Sequence, residues 1–262
     1  MAQPKHVNSL VRGLEILESF TPSEPRLSLQ ALSERTGLPK TTVHRFLKTL
    51  LTMKYVTVDP RTKAYSLAPR VTALGFSVLS GMDLRAKAYP HMESLSRQTN
   101  QNVNLAVLDR TEMLYIERIT VRRIININLH VGSRVNGYLT ALGRAFIAFL
   151  SDDKYDRLLA ELLKDSEAVK HIGKRGEKLE AILEDVRQKG YAFNDDNWVP
   201  GLQAVSAPVF NEQGEVEASL NICFISQMAG LDEMIKTFVP PLLETARKIS
   251  AVMDFDRVPR FR

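Results

Sequence analysis

The chain has 262 residues, 44% hydrophobic and 25% charged, more than one average domain needs and enough to bury two cores, which excludes a disordered chain. A single cysteine, Cys223, excludes an internal disulfide and a thiolate metal cluster, and neither a metal nor a cofactor is expected. The net charge of +5 gathers at one end: residues 1–70 hold eleven Lys and Arg against five Asp and Glu, residues 71–262 twenty-four against twenty-five. A basic first module beside a near-neutral second one calls for an anionic partner of the first, nucleic acid or a membrane surface. No apolar run is long enough to cross a bilayer and Met1 to Ser9 lacks a signal-peptide core, so a cytoplasmic protein is expected.

From Val7 to Phe20, Leu10, Leu14, Leu17 and Phe20 recur at helical spacing and are predicted to pack inward, with Arg12, Glu15 and Glu18 in solvent. After the break from Thr21 to Pro25, Ser28 is the expected N-cap of a short helix through Arg35, with Leu29 and Leu32 inward and Gly37 ending it. Pro39 suits the first turn of a third helix reaching about Thr52, whose buried stripe is Val43, Phe46, Leu47, Leu50 and Leu51.

The other face of that helix aligns Thr41, Arg45 and Lys48 at i, i+4 and i+7, beside Lys40, Thr42, His44 and Thr49. Arg bridges guanine O6 and N7, hydroxyls bond bases or phosphates, and Lys neutralises phosphate, so this face fits the major groove of DNA. A membrane-surface helix needs bulky apolar groups free to insert, and here they are committed to the core. Ser28 and Gln30, at the start of the preceding helix, complete the expected helix-turn-helix contact set. Tyr55 to Val58 and Ala64 to Leu67 then flank a turn carrying Arg61 and Lys63, which reads as a basic-tipped hairpin, or wing.

Gly37-Leu38-Pro39-Lys40-Thr41-Thr42-Val43-His44-Arg45 resembles the recognition-helix entry of the IclR family of bacterial transcriptional regulators, and Val11-Arg12-Gly13-Leu14-Glu15-Ile16-Leu17 resembles its first helix. Gly190-Tyr191-Ala192, Gly201-Leu202 and Ala204-Val205-Ser206-Ala207-Pro208-Val209-Phe210-Asn211 are similar to that family's carboxy-terminal motif. Where the family usually has acidic residues this chain has Asn194 and Asn197, and Trp198 stands where an aromatic is unusual. Arg122 to Asn128, Val131-Gly132-Ser133-Arg134 and Thr140-Ala141-Leu142-Gly143-Arg144 most resemble regulators of aromatic-acid catabolism through the β-ketoadipate pathway, although Val135-Asn136-Gly137 replaces that group's usual Phe-Pro-Ala. The resemblance implies an α+β protein: an N-terminal winged helix-turn-helix (1–70), a linker helix (71–82), a C-terminal GAF-like α/β effector-binding domain (83–253) and a basic tail (254–262). It also implies a pseudo-palindromic double-stranded DNA operator, a small organic acid effector, a homodimer that can pair into a dimer of dimers, and a contact with RNA polymerase if the protein activates.

Val71, Leu74, Val78 and Leu79 make one stripe between Pro69 and Gly81, the expected linker helix, around which family members dimerise. A helix from Asp83 to Gln98 is expected to break near Pro90, followed by a hairpin (Val103 to Leu108, Met113 to Ile119) and a strand from Ile124 to His130. Helices are expected near 140–150, 152–163 and 175–188, a second hairpin over Gln203 to Phe210 and Val216 to Ile225, and a final helix near 231–253.

The start of the helix at Thr140, Ala141 and Leu142 offers backbone N–H groups to a carboxylate, and Arg134 and Arg144 flank that loop either as carboxylate partners or as structural ion pairs. Asn128, Asn194, Ala204, Asn221 and Cys223 match the family's effector pocket; Asn221 and Cys223, at i and i+2, share a strand face and serve either a pocket or a core. Asn194 in place of an acid lowers the negative charge of such a pocket, which favours a carboxylate ligand. An unrelated small metabolite is the alternative effector. An enzyme with a DNA-binding accessory is the rival class, but His6, His44, His91, His130 and His171 are scattered, and no zinc-protease, phosphate-loop or dinucleotide motif occurs.

Overall fold

The computed structural model describes residues 7–121, 129–195, 201–225 and 231–253. The chain forms two compact units, Met1–Gly81 and Met82–Arg262.

In the first unit three helices, α1 (Asn8–Glu18), α2 (Leu29–Thr36) and α3 (Lys40–Thr52), are followed by a short antiparallel hairpin, β1 (Val56–Val58) and β2 (Tyr65–Leu67), and by α4 (Arg70–Ser80). Ser28 caps α2, its Oγ accepting from Ala31 N–H at 3.1 Å, and Gly37 ends it at φ 65, a left-handed turn open to glycine at no steric cost. Leu27 pairs with Tyr65 through two backbone hydrogen bonds (2.9 and 2.8 Å), tying the hairpin back to the helices. Ile16, Phe20, Leu27, Leu32, Val43, Leu47, Leu50 and Val56 form the core.

The helical period of α1 is as expected, but its buried face is rotated. Leu10 and Leu14, expected inward, are 63% and 48% exposed, whereas Ile16 is fully buried. The buried side runs through Gly13, which lies against Phe46, then Ile16, Leu17 and Phe20. A three-helix core is too small to cover every apolar residue on α1, so Val7, Leu10, Val11 and Leu14 are left outside. The helix expected between Pro69 and Gly81 forms as α4 and buries no residue; the Arg70 guanidinium rests over the Tyr55 ring at 5.2 Å.

The second unit is a six-stranded antiparallel sheet in the order β5-β4-β3-β8-β7-β6: β3 (Asn102–Asp109), β4 (Glu112–Ile119), β5 (Arg134–Asn136), β6 (Ala192–Asp195), β7 (Leu202–Phe210) and β8 (Val216–Ile225). One face packs on α5 (Asp83–Thr99) and α10 (Leu231–Val252), where Phe224 meets Phe238 at 5.0 Å. The other is covered by α6 (Ala141–Ile147), backed by α7 (Asp152–Leu162), α8 (Ser166–Ile172) and α9 (Glu177–Lys189). On the α5 face Arg85 pairs with the nearly buried Glu117 at 2.7 Å, and Glu117 also accepts from Arg118 N–H at 2.9 Å.

Several expectations are corrected. Helix α5 runs through Pro90 unbroken, because Pro90 and Ala86 are both exposed and water can satisfy the carbonyl that proline leaves without a donor. Of the strand expected from Ile124 to His130, residues 124–128 lie outside the described residues, and Leu129 and His130 are loop. The short elements β5, α8 and β6 were not expected; each has seven residues or fewer, too short for a periodic pattern.

Helix α6 rests on the preceding loop at a glycine–glycine contact: a Cβ on Gly143 would fall 1.9 Å from the Gly137 carbonyl oxygen. Gly143→Ala should therefore destabilise the second unit by about 3 kcal/mol, the upper end of overpacking costs. Denaturant unfolding measures it; an unchanged midpoint would mean that α6 does not bear on this loop.

Candidate functional site

The first candidate surface is the outer face of α3 with the hairpin tip. Lys40, Thr41, His44, Arg45, Lys48 and Thr49 are exposed and Thr42 is half-buried. Among the described residues none of Lys40, Arg45, Lys48, Arg61 and Lys63 is in an ion pair, whereas Arg35, off this face, pairs with Glu24. Leaving five cations without carboxylate partners costs self-repulsion and is what a polyanion requires. Pro39 gives α3 no side-chain cap; Thr42 and Val43 N–H donate to the Pro39 carbonyl at 2.9 and 3.0 Å.

At the tip, Asp59 accepts from Arg61 N–H (2.8 Å) and Thr62 N–H (3.1 Å). Those donors, Thr62 foremost, hold the Asp59 carboxyl below the usual carboxylate range, so it stays charged and keeps the turn closed. Lys63 takes a left-handed conformation at φ 57. Ser28 is occupied as a cap and Gln30 is hydrogen-bonded to Glu34, so both reach this surface only from its border.

The second candidate is the sheet face beneath α6. The register sets Asn194, Ala204, Cys223 and Asn102 opposite one another across β6, β7, β8 and β3. Two residues along, Ser206, Asn221, Asn104 and Arg118 line up across β7, β8, β3 and β4. Facing residues and i+2 neighbours share one side of a sheet, so these two rows form a continuous polar patch. It is buried, Asn104 being 1% exposed, Asn221 3%, Asn194 5% and Ser206 0%.

Asn104 Nδ2 donates to Asn221 Oδ1 at 2.7 Å and to Cys223 Sγ at 3.5 Å, and Asn221 Nδ2 donates to Cys223 Sγ at 3.3 Å. Among the described residues Asn104 Oδ1, Asn194 Oδ1 and Ser206 Oγ have no hydrogen-bond partner. A buried polar group left without a partner costs about 1–3 kcal/mol, so this patch offers hydrogen-bonding atoms to a ligand or to water. Burial raises the pKa of the Tyr115 hydroxyl, with Cys223 adding to the rise and Arg118 opposing it; burial also pushes the Cys223 thiol up to about 11, opposed by Arg118, Asn221 and Asn104.

The structure brings together Asn194, Ala204, Asn221 and Cys223, with Ala141 packed in the same cluster as Ala204 and Cys223, and Leu142 beside Tyr115 and Ala106. Thr140 caps α6, accepting from Gly143 N–H at 3.3 Å and donating to Asn136 O at 2.8 Å. Arg134 and Arg144 are held elsewhere: Arg134 pairs with Asp109 and, at 3.7 Å, Glu112, and Arg144 Nε donates to Tyr138 O at 3.2 Å beside a cleft lined by His171 and Leu179. Asn128, Asn197 and Trp198 lie outside the described residues. Asn104, Ser206, Tyr115 and Arg118 escaped the sequence reading. The signal was Asn102-Val103-Asn104-Leu105, whose polar positions alternate within a β-prone run just as Asn221-Ile222-Cys223 does.

Residues 9–60 match the IclR helix-turn-helix domain, and residues 76–251 the bacterial transcriptional regulator IclR C-terminal domain. The chain belongs to the IclR family. It is 33% identical over 249 residues to a Pca regulon regulatory protein of Pseudomonas putida, covering 94% of this chain and 84% of that one. An IclR family transcriptional regulator from Brucella abortus superposes with a TM-score of 0.80 at 27% identity, over 95% of this chain and 93% of that one. An IclR homolog complexed with 4-hydroxybenzoate, from Microbacterium hydrocarbonoxydans, shares the fold at a TM-score of 0.75 and 22% identity, over 94% and 98% of the two chains.

The protein is thus a transcriptional regulator with a DNA-binding and an effector domain, not an enzyme. No helix among the described residues is long and apolar enough to cross a membrane.

The position of Cys223 gives a direct check. Its folded value near 11 lies above the ordinary 9.0, so between those values the unfolded thiol ionises while the folded one stays neutral, and its contribution to stability falls as pH rises through that window. At pH 8 an aromatic disulfide reagent should leave the folded protein unmodified and take up one equivalent after denaturation. Rapid native reaction would place the thiol at the surface.

Proposed function

We propose that the protein controls genes of small-acid catabolism in the bacterial cytoplasm, as a homodimer whose affinity for a pseudo-palindromic operator is set by a small organic acid bound under α6. The reading divides the chain into a DNA-binding head (1–70), a linker (71–82), an effector domain (83–253) and a basic tail (254–262). The observation that carries it is the buried polar patch under α6, three of whose oxygens have no partner among the described residues, in the same chain as a helix face whose cations make no ion pair among them. The acid is aromatic or dicarboxylic on this reading. Supporting it are the likeness to the Pca regulon regulatory protein and the fact that a protein of the same fold holds 4-hydroxybenzoate.

On DNA, Arg45 reads a guanine in the major groove, Lys48 and Lys40 neutralise phosphates, and Arg61 and Lys63 bring the hairpin to the adjacent backbone. Occupancy of the effector site shifts the placement of the two heads through the linker, by as much as the acid's differential affinity for the two placements.

Dimerisation is supported by apolar residues that the first unit leaves in solvent. Val7, the N-cap of α1, and Leu10, Val11 and Leu14 on it make an i, i+3, i+4, i+7 stripe, and Leu74, Phe76 and Val78 stand out from α4, Phe76 being 64% exposed. Leu10→Glu combined with Leu14→Glu should give folded monomers with weakened operator binding. Sedimentation checks it, and an intact dimer would remove this stripe from the interface.

Fluorescence anisotropy on operator DNA tests the whole reading. Arg45→Ala should cost about 1–3 kcal/mol and relax specificity at one base pair, while Lys48→Ala should weaken all sequences alike and reduce the salt slope by about one. Titration with acids such as 4-hydroxybenzoate, protocatechuate or β-ketoadipate should change operator affinity at least fivefold for one of them, the low end of coupling between sites. Operator affinity indifferent to every acid would reject the effector half of the proposal, and equal losses on all DNA for both variants would make Arg45 a phosphate clamp.

A further inference from the structure

A second hollow lies at the far end of the sheet face that carries the polar patch. Along β3 the side facing α6 passes from Asn104 through Ala106 to Leu108, a run of about 13 Å, and there an open groove of about 490 Å³ begins. Leu108, Phe146, Leu150, Leu158 and Val216 form its floor, supplied in turn by β3, the last turn of α6, the loop after it, α7 and the start of β8. All five belong to, or pack against, the two core clusters that meet around α6, so the groove is where that core opens to solvent.

The rim is cationic. Lys154, Arg157 and Glu161 surround Leu158 on α7 at i, i+3, i+4 and i+7 spacing, and Arg110 lines the same groove from the β3–β4 turn. Lys154 pairs with Glu215 at 2.8 Å and Lys164 with Glu161 at 2.8 Å, so four cations and two carboxylates edge the groove, an excess of two positive charges. Arg110 takes a left-handed φ of 59 in a two-residue turn, where glycine or asparagine is the usual choice, and Arg134 braces that turn by pairing with Asp109 and Glu112. The turn itself has no need of an arginine. A guanidinium beside an apolar floor is what an anion with an apolar body needs.

The shape limits the occupant. Nine residues line the groove, far short of the roughly 20–30 a side of a stable protein interface, whereas its volume falls within the range of small-molecule sites, about 300–1,000 Å³. Beyond it a smaller hollow of about 170 Å³ continues over Phe149, Leu150 and Val216 to Gly214. The two share Leu150, Lys154 and Val216 and so make one elongated track, which suits a flexible chain better than a compact ring.

We propose that this groove is a second ligand site, separate from the polar patch, for an aliphatic-chain anion: a medium-length alkyl chain on the floor, and a carboxylate or phosphate held between Arg110 and Arg157. Helix α6 links the two places, Ala141 at its start packing in one cluster with Ala204 and Cys223 of the patch and Phe146 in its last turn lining the groove. The site goes beyond the effector reading and does not depend on it.

The test uses the full-length protein and four probes kept below micelle-forming concentrations: decanoate, decyl phosphate, hexanoate and decanol. In calorimetry one or both of the ten-carbon anions should bind saturably at one equivalent per chain, and the comparison of the two identifies the head group. The better anion should bind at least tenfold more tightly than decanol, which lacks the charge, and than hexanoate, which lacks four methylenes. Arg110→Gln combined with Arg157→Gln, both at exposed positions, should weaken it at least tenfold with an unchanged circular dichroism spectrum. Photolabelling of the wild type with a diazirine-bearing decanoate locates the site even if the variant does not fold. Label within residues 146–161 supports the proposal, and label confined to residues 192–206 places the chain in the patch and overturns it. Decanol binding as tightly as both anions overturns it too, as does the absence of saturable binding, the result expected if a second copy of the chain covers the groove.

Discussion

The second unit depends on one pairing, that of β3 with β8 at the centre of its sheet. Asn102 to Ala106 run antiparallel to Cys223 to Ser219, and every other strand is added outward from these two. Because side chains alternate across a strand, this single register assigns all the others. Leu105, Leu220, Ile222 and Phe224 are sent to the face of α5 and α10, while Asn104, Asn221 and Cys223 are sent beneath α6. A slip of one residue would bury the amides against the apolar helices and expose the leucines to the patch. The hydrogen bond from Asn104 to Asn221 joins residues 117 apart in sequence and is made only in the correct register, so the polar patch also identifies the right pairing.

The two units treat polar groups in opposite ways. On α3 the polar residues face water and their cations are kept clear of carboxylates, so the surface is ready for a phosphate backbone without rearrangement. Under α6 the polar residues are buried and, among the described residues, only partly paired. One unit is therefore complementary to a partner by long-range charge, the other by short-range hydrogen bonding. That division follows the charge partition of the chain, in which the basic excess falls entirely within the first seventy residues.

Much of this was legible in the sequence, and the reasons for the rest are physical. Ser28, Gly37 and Pro39 fix the helix boundaries of the first unit by local chemistry that depends on nothing distant. The two long hairpins show in their alternation, and their turns at 109–112 and 211–214 in their residue types. The phase of α1 did not show, because Leu10 and Leu14 are as apolar as Ile16 and only the size of the core decides which are covered. Arg134 and Arg144 were attractive as anion ligands from their place near a loop, but partners that are distant in sequence or on the backbone, Asp109 and Tyr138, claim them. Asn104 and Arg118 were missed for the converse reason: a polar residue in a β-run reads as solvent-facing until the opposite strand is known.

The distance along the chain between β3 and β8 also sets an order in time. The core of the first unit is built entirely from residues 16–56, whereas the patch needs Asn104 and Cys223 together and cannot exist before β8 has been made. The 144 residues from 82 to 225 take roughly 7–30 s to synthesise at bacterial and slower rates of translation. A chain that ends anywhere between residues 82 and 215 therefore holds the whole of the first unit and lacks the β8 half of the patch, Asn221 and Cys223.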